Sequence, residues 1–461
     1  MQLIKKSPVI LLLLLLLSSC IFNNHREENE KAEKKAEVTI VDGHAGWIMQ
    51  GNIYEVNVRQ YTPEGTFKAF AKSLPRLKDM GVQTLWFMPI NPISVEGRKG
   101  VLGSYYAVSD YTSVNPEFGS MEDWKHLVNQ AHEMGFKVII DWVPNHTGAD
   151  NPWLKTHPEF YVKDSITGDF VAPFDWTDVR KLNYAYMPFR DTMINRMKYW
   201  ITDTDIDGFR CDVAGEVPDS FWVSCIRELR KVKKDLFMLA EGDKPELHRD
   251  GFDASYSWPL FDMIKKIAKG DRPAFAIDSV YAKIDSTYPP NAISLMFTSN
   301  HDENSWNKAD YGTMPGPIHA PFAVFTQTAA RSVPLIYSGQ EEPYLDSLSF
   351  FYKDSIHFGE YKRASFYKTL LTLRKNNKAL SANASFNKVN AGDSTAIYAY
   401  TRVKGNNKIL VILNLSGKPQ NIQLTDNSLS GNAENIFTGK QENISQTLNS
   451  MGPWGFVVYK Y

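Results

Sequence analysis

Three cysteines in 461 residues are too few for a disulfide framework to stand in for a hydrophobic core. Cys20 ends an N-terminal leader-like stretch. Cys211 and Cys225 sit in apolar contexts, which reads as two reduced, buried thiols rather than a bridge. Charge of one sign is lacking as well: 51 Lys and Arg stand against 52 Asp and Glu, a formal net charge of −1. No block of basic residues occurs, which excludes a nucleic-acid partner. The longest purely apolar run, Val9 to Leu17, falls well short of the about 20 residues a membrane-spanning helix needs. What the chain does have is a soluble globular composition, 43% hydrophobic and 22% charged, and 11 Trp, 22 Tyr and 26 Phe. Its length suits several domains, or one barrel with an accessory module.

The short apolar run follows Lys5 and Lys6 and precedes Leu17-Ser18-Ser19-Cys20, the layout of an export leader. That box resembles the lipoprotein box of bacteria. The resemblance implies removal of residues 1–19, lipidation of Cys20, and a membrane partner reached through that lipid. A plain cleaved signal is the alternative. Residues 20–45 read as a solvated tether, with Glu27, Glu28, Glu30, Glu33 and Glu37 interspersed among Lys and Arg. The acidic cluster soon after Cys20 points to the cell envelope, specifically an outer membrane with display on its outer face. Without Lys5 and Lys6 the basic residues number 49 against 52 acidic, a net charge of −3.

From Gly51 short apolar runs alternate with longer amphipathic ones, as repeated strand–helix units around a parallel sheet require. Ile53 to Val58, Val82 to Met88, Phe136 to Val143, Ile206 to Val213 and Leu236 to Glu241 read as strands. Phe252 to Tyr256, Ile293 to Ser299 and Pro334 to Ser338 complete eight. Between them, Phe67 to Met80 and Met121 to Met134 are predicted helices ended by Gly81 and Gly135. Eight such units in about 300 residues predict a (β/α)₈ TIM barrel, an α/β fold whose chemistry sits at the C-terminal ends of the strands. The polar clusters fall there: Asp141 to His146, Arg210 with Asp212, Glu241, and Asn300-His301-Asp302.

The stretch Asp207-Gly-Phe-Arg-Cys-Asp-Val-Ala-Gly-Glu216 carries the most specific pattern. Strand alternation places Gly208, Arg210 and Asp212 on one face. A guanidinium beside Asp212 keeps that carboxylate ionised, as a nucleophile needs, though an ordinary strand-end ion pair would look the same. Four signatures in order decide the reading. Asp141-Trp-Val-Pro-Asn-His146, Gly208 to Glu216, Leu239-Ala-Glu-Gly-Asp243 and Thr298-Ser-Asn-His-Asp-Glu-Asn304 resemble the four conserved regions of the α-amylase family of glycoside hydrolases. Val179-Arg-Lys-Leu-Asn183 and Glu216 are similar to the neopullulanase and cyclomaltodextrinase branch, and Ser104 to Tyr111 with Phe118-Gly119 to the family's stretch after the second strand. The resemblance covers roughly Gly51 to Arg374.

It implies a retaining α-glucan hydrolase acting on α-1,4 bonds of starch or maltooligosaccharides. Neopullulanase-like, cyclomaltodextrinase-like or α-glucosidase/transglycosylase action is the alternative, and a non-catalytic glycan-binding protein a more distant one. Retention takes two carboxyl groups about 5–5.5 Å apart. By motif position Asp212 is the nucleophile and Glu241 the acid/base, whose site should be dry and its pKa raised. The resemblance further implies Asp302 as a third carboxylate distorting the sugar. It implies His146 and His301 as hydrogen-bond partners of that sugar, Tyr106 as its stacking platform, Asp141 as support for Arg210, and Glu216 as a substrate contact. Asn145 matches a calcium position of many relatives, but a hard cation needs six or more oxygens and only this donor is evident; no cofactor is required. Neopullulanase-like relatives usually carry an extra N-terminal β-domain. The tether runs straight into the first strand, so the dimer built on that domain is not expected, and the oligomeric state stays open.

Two regions add to the barrel of this catalytic segment, residues 46–375, one inserted within it and one after it. Residues 147–183, after the third strand, form a small insert with Trp153, Phe160, Tyr161, Phe174 and Trp176, which serve either as sugar platforms or as packing. Beyond Arg374 the period becomes two. Thr395 to Val403, Lys408 to Leu415 and Gly455 to Tyr461 are strand-like, which predicts a C-terminal antiparallel β-sandwich over residues 380–461. Its tail, Pro453 to Tyr459, is similar to that of family members. It either packs on the barrel or binds starch.

Overall fold

Eight short buried runs become eight parallel strands that close on themselves. The computed structural model describes residues 38–308, 314–342, 347–445 and 447–461, so the leader, Cys20 and most of the tether lie outside the described residues. The barrel strands are β1 Ile53–Val56, β2 Thr84–Phe87, β3 Lys137–Trp142, β4 Gly208–Cys211, β5 Phe237–Ala240, β6 Ala254–Tyr256, β7 Ile293–Met296 and β8 Ser332–Tyr337. They pair in chain order all the way round, β8 returning to β1 through Leu335 opposite Ile53. Because both faces of such a sheet are covered, nearly every strand position is buried, and the runs read as continuously apolar.

The alternation expected for β4 holds. Phe209 and Cys211 join the layer under the outer helices, while Arg210 points inward among Trp86 of β2 and Tyr256 of β6. Gly208 is required by the same crowding: a Cβ there would stand 2.1 Å from the Phe237 carbonyl oxygen on β5. Cys211 and Cys225 are both buried and unbridged.

Two elements differ from expectation. The single helix predicted over Phe67 to Met80 is two, Phe67–Ala71 and Leu74–Met80. Pro75 has no N–H to give a preceding turn, so it restarts the helix within a first turn, where none is needed. The first strand stops at Val56, because the Asn57 side chain accepts from the Gln60 amide and caps a short helix, Val58–Tyr61. The helix Met121–Glu133 follows its prediction, with a Ser120/Asp123 capping box.

After β3 the insert is pinned at its base by an antiparallel pair, His146–Gly148 with Val179–Lys181. The C-terminal strands are β9 Ser385–Val389, β10 Ile397–Lys404, β11 Asn407–Asn414, β12 Gln420–Gln423, β13 Gly431–Asn435, β14 Lys440–Ile444, β15 Thr447–Met451 and β16 Phe456–Lys460. They build a six-stranded antiparallel sheet, β9-β10-β11-β16-β13-β14, and a two-stranded one, β12-β15. Apolar residues such as Ile412, Ile422 and Leu424 fill the space between them. This domain packs on the barrel. Arg402 of β10, fully buried, donates to the Thr328, Ala329 and Ser381 carbonyls. Phe366 of the last barrel helix stacks on Phe437 at 5.6 Å. No helix of the described residues is long and apolar enough to cross a membrane.

Candidate active site

The C-terminal ends of the strands surround a cleft of about 470 Å³ lined in part by Tyr106, His146, Asp212, Glu241 and Asp302. Beneath them Arg210 acts as a hub. Its Nη1 lies 2.9 Å from Asp141 Oδ1 and 3.1 Å from Asp212 Oδ1, and its Nη2 lies 2.7 Å from Glu241 Oε1. Its Nε donates to the Tyr256 hydroxyl at 3.2 Å, and Trp86 and Tyr106 complete an aromatic sleeve. Arg210 and Asp141 are fully buried, whereas the side chains of Asp212 and Glu241 keep a small opening to the cleft. Carboxylates that sequence separates by up to 100 residues thus meet on one cation.

Three carboxylates share that one guanidinium, so they cannot all ionise freely. Burial lifts the Asp141 carboxyl to about 7 despite Arg210. For Asp212, burial and then the Glu241 charge push the carboxyl well above the usual range. For Glu241, burial works upward, but Arg210 and the Val213 amide outweigh it and hold the group below its ordinary value. This reverses the expectation of a charged Asp212 and a raised Glu241. The reason is geometric. Glu241 has the shorter contact with Arg210 and also accepts from Val213 N at 2.7 Å, while Asp212 shares its Nη1 with Asp141. Val213 itself is held at φ +38°, unusual for a β-branched residue, so local backbone strain accompanies that contact.

A second chain of contacts enters from β7. Asn300 caps the helix His301–Asn307, which fixes both His301 and Asp302 at its first turn. His301 Nε2 lies 2.7 Å from the Tyr106 hydroxyl and 3.3 Å from Asp302 Oδ2. The Tyr106 hydroxyl in turn donates to Asp141 Oδ2 at 3.1 Å. On the other side, His301 Nδ1 lies 2.5 Å from Oε1 of Glu55, a fully buried residue of β1. His146 is buried, and burial pushes its imidazole down to about 4, so it is neutral. Its ring meets Trp176 edge-on at 5.4 Å.

Sequence reasoning missed Glu55, although a lone acid inside the run Ile53 to Val58 was a usable signal. It also missed Lys99, Asp175, Asp178, Phe350 and Phe351, which line the cleft from loops, and Trp306, which lines it from the helix His301–Asn307. Of the insert aromatics, Trp153, Phe160 and Tyr161 pack inward, while Trp176 lines the cleft with the exposed Phe174 beside it at 4.7 Å. Glu216 is exposed on a short turn and does not line the cleft. Asn145 is buried, with its side-chain amide nitrogen 3.3 Å from His146 Nδ1, and its backbone carbonyl accepts from the Leu182 amide. Among the described residues no group of three or more His, Cys, Asp or Glu could hold a metal ion.

Residues 45–180 match the family model "Alpha amylase, catalytic domain", and residues 397–458 match "Alpha-amylase SusG C-terminal domain". The chain is 27% identical over 404 residues to an α-amylase of Haloarcula japonica, covering 82% of this chain but only 57% of that protein. To a cyclomaltodextrinase of Geobacillus thermopakistaniensis it is 25% identical, over 86% of this chain and 70% of the relative. The fold is similar to the crystal structure of a noncanonic maltogenic α-amylase from Thermotoga neapolitana, with a TM-score of 0.81, 28% identity, and coverage of 90% of this chain and 99% of that one.

Proposed function

We propose, from the premise that this chain carries an α-amylase-family catalytic domain, that it is a retaining hydrolase of α-1,4-linked glucans. The observation that carries this reading is Arg210 gripping Asp212 and Glu241 together at the floor of the cleft. Asp212 attacks the anomeric carbon and the glycosidic C–O bond breaks. Glu241 gives its proton to the departing oxygen, leaving a glycosyl ester on Asp212. Glu241 then takes a proton from water, whose oxygen displaces Asp212. A bound sugar shifts this balance. Its glycosidic oxygen replaces Arg210 as partner of Glu241, the proton shared by the carboxylates passes to Glu241, and Asp212 keeps the guanidinium. Asp302 and His301 grip the sugar hydroxyls beside the reacting carbon, and Tyr106 offers its ring.

The relatives named cyclomaltodextrinase and maltogenic amylase support a second arm, action on cyclic or short substrates. Incubation with maltoheptaose, β-cyclodextrin and pullulan separates the arms. In each, Glu241→Gln should lower turnover by about 10²–10⁴-fold, the range for loss of a general acid, and Asp212→Asn should abolish it. Normal turnover of Asp212→Asn on all three would end the reading. The leader supports export as a lipoprotein: radiolabelled palmitate should enter the wild-type chain and not a Cys20→Ser variant.

A further inference from the structure

The rim of the cleft is uneven. The strands run in order around the ring, so the loop after β2 stands between the loops of β8 and β1 on one side and the insert after β3 on the other. That β2 loop, residues 93–103, is tied to all of them. Asp150 of the insert accepts from Val95 N at 2.7 Å and Glu96 N at 3.2 Å. Lys99 Nζ reaches Asp178 Oδ1 at 3.2 Å, and both side chains line the cleft. Toward β8, Leu102 N donates to the Phe351 carbonyl at 3.0 Å. Gly100, at φ +63°, lies so close that a Cβ would stand 2.5 Å from Phe351 Cβ. The buried Arg59 stitches the seam, donating to the Leu102, Gly103 and Phe350 carbonyls at 3.1–3.2 Å. The insert and the β8 loop, two walls three strands apart in the ring, are therefore joined through one segment. A groove whose walls are joined at one end is blind at that end.

On the far side the rim is low. A helix starts within four residues of Glu241, and after β6 one starts two residues beyond Tyr256. The chemistry then orients the chain. Glu241 protonates the departing oxygen, so the departing part of the glucan leaves over the low rim. The part retained on Asp212 extends under the joined walls. In an α-1,4 glucan the retained part runs toward the non-reducing end.

We propose that residues 93–103, with Lys99 as a specificity-determining residue, close the glycone end of the cleft, so that the enzyme attacks from the non-reducing chain end. This rests on the hydrolase reading above and adds direction and mode to it. The test compares maltoheptaose with maltoheptaose carrying a 4,6-O-ethylidene acetal on its non-reducing glucose. The free oligosaccharide should release short sugars from its non-reducing end. The blocked one, with added bulk at the closed wall, should be cut at least about 100-fold more slowly. Comparable rates would overturn the inference while leaving the hydrolase reading intact; no cleavage of either would sink both. A variant with residues 96–101 replaced by two glycines should narrow the gap by about tenfold, the effect of relieving a single steric clash; a folded variant whose ratio of rates is unchanged would count against the wall. The wild-type comparison stands even if that variant does not fold.

Discussion

Glu55→Gln keeps the shape of a buried side chain and removes its charge. Glu55 touches His301 Nδ1 at 2.5 Å, and among the described residues no other side chain has that ring nitrogen as partner. Burial alone would depress the His301 imidazole. The charges of Asp302 and Glu55 overcome it, against opposition from Arg210, and lift the group to about 9. Glu55 itself lies above its ordinary range, because burial outweighs the attraction of His301 and Arg210. The rise of His301 from about 6.5 corresponds to roughly 3.4 kcal/mol at 1.36 kcal/mol per unit. Glu55 and Asp302 share it, so removing Glu55 should cost on the order of 2 kcal/mol, about 1.5 pH units, and bring the His301 pKa down to about 7.5. The group is raised in the folded state, so its stabilising contribution is full below about 6.5 and fades as pH rises through about 9. In the variant that window closes near neutrality.

The protonation state matters for the site. The Tyr106 hydroxyl donates its hydrogen bond to Asp141, so it accepts from His301 Nε2 while Nδ1 faces Glu55. Only the doubly protonated ring donates on both sides. Two assays follow: a nitrogen-15 titration of the His301 ring, which needs no turnover, and the pH profile of kcat/KM on maltoheptaose. The alkaline limb should move down by one to two pH units in Glu55→Gln, with the melting profile showing a folded protein. An unchanged His301 titration in the folded variant would refute the reasoning.

Three further outcomes are expected. Asp207, buried below β4, accepts from His132, Lys137 and the Val138 amide at 2.8–2.9 Å. Burial would raise it, but these partners and Lys233 hold it far below the carboxylate range. Asp207→Asn should cost about 3–5 kcal/mol in urea unfolding at pH 7. The loss should shrink as pH falls below about 4, since a depressed carboxyl stabilises only above its unfolded value; a pH-independent difference would contradict the assignment. Gly208→Ala has no room for its methyl against the Phe237 carbonyl and should lower stability by at least about 1–3 kcal/mol, read as a melting shift. Trp306, half-exposed at the cleft rim and 5.3 Å from Phe350, should raise KM for maltoheptaose about 3–10-fold when replaced by Ala, with kcat nearly unchanged.

The ring of strands was legible because each run is short, apolar and followed by an amphipathic stretch, and because Asp141, Arg210, Glu241 and Asn300 each close such a run. Strand periodicity alone put Arg210 beside Asp212 and away from Phe209 and Cys211. The proton distribution was not legible. It depends on how one guanidinium divides its contacts among Asp141, Asp212 and Glu241, a matter of tenths of an ångström. Nor were the cleft walls: Lys99, Asp178 and Phe350 come from three loops without periodicity, and only the ring's order makes them neighbours. Glu55 was hidden differently. A strand reading assigns an inward face but cannot say that His301, 246 positions later, waits there.

The central claim, that Asp212 takes the sugar while Glu241 serves its leaving group, is tested most directly by trapping the intermediate. The enzyme should be incubated with 5-fluoro-α-glucosyl fluoride, digested, and its peptides weighed. One fluoroglucosyl unit on the peptide containing Asp212, and none on Asp212→Asn, is the predicted result. A label on any other carboxylate, or turnover of natural substrate by the Asp212→Asn protein, would contradict the account.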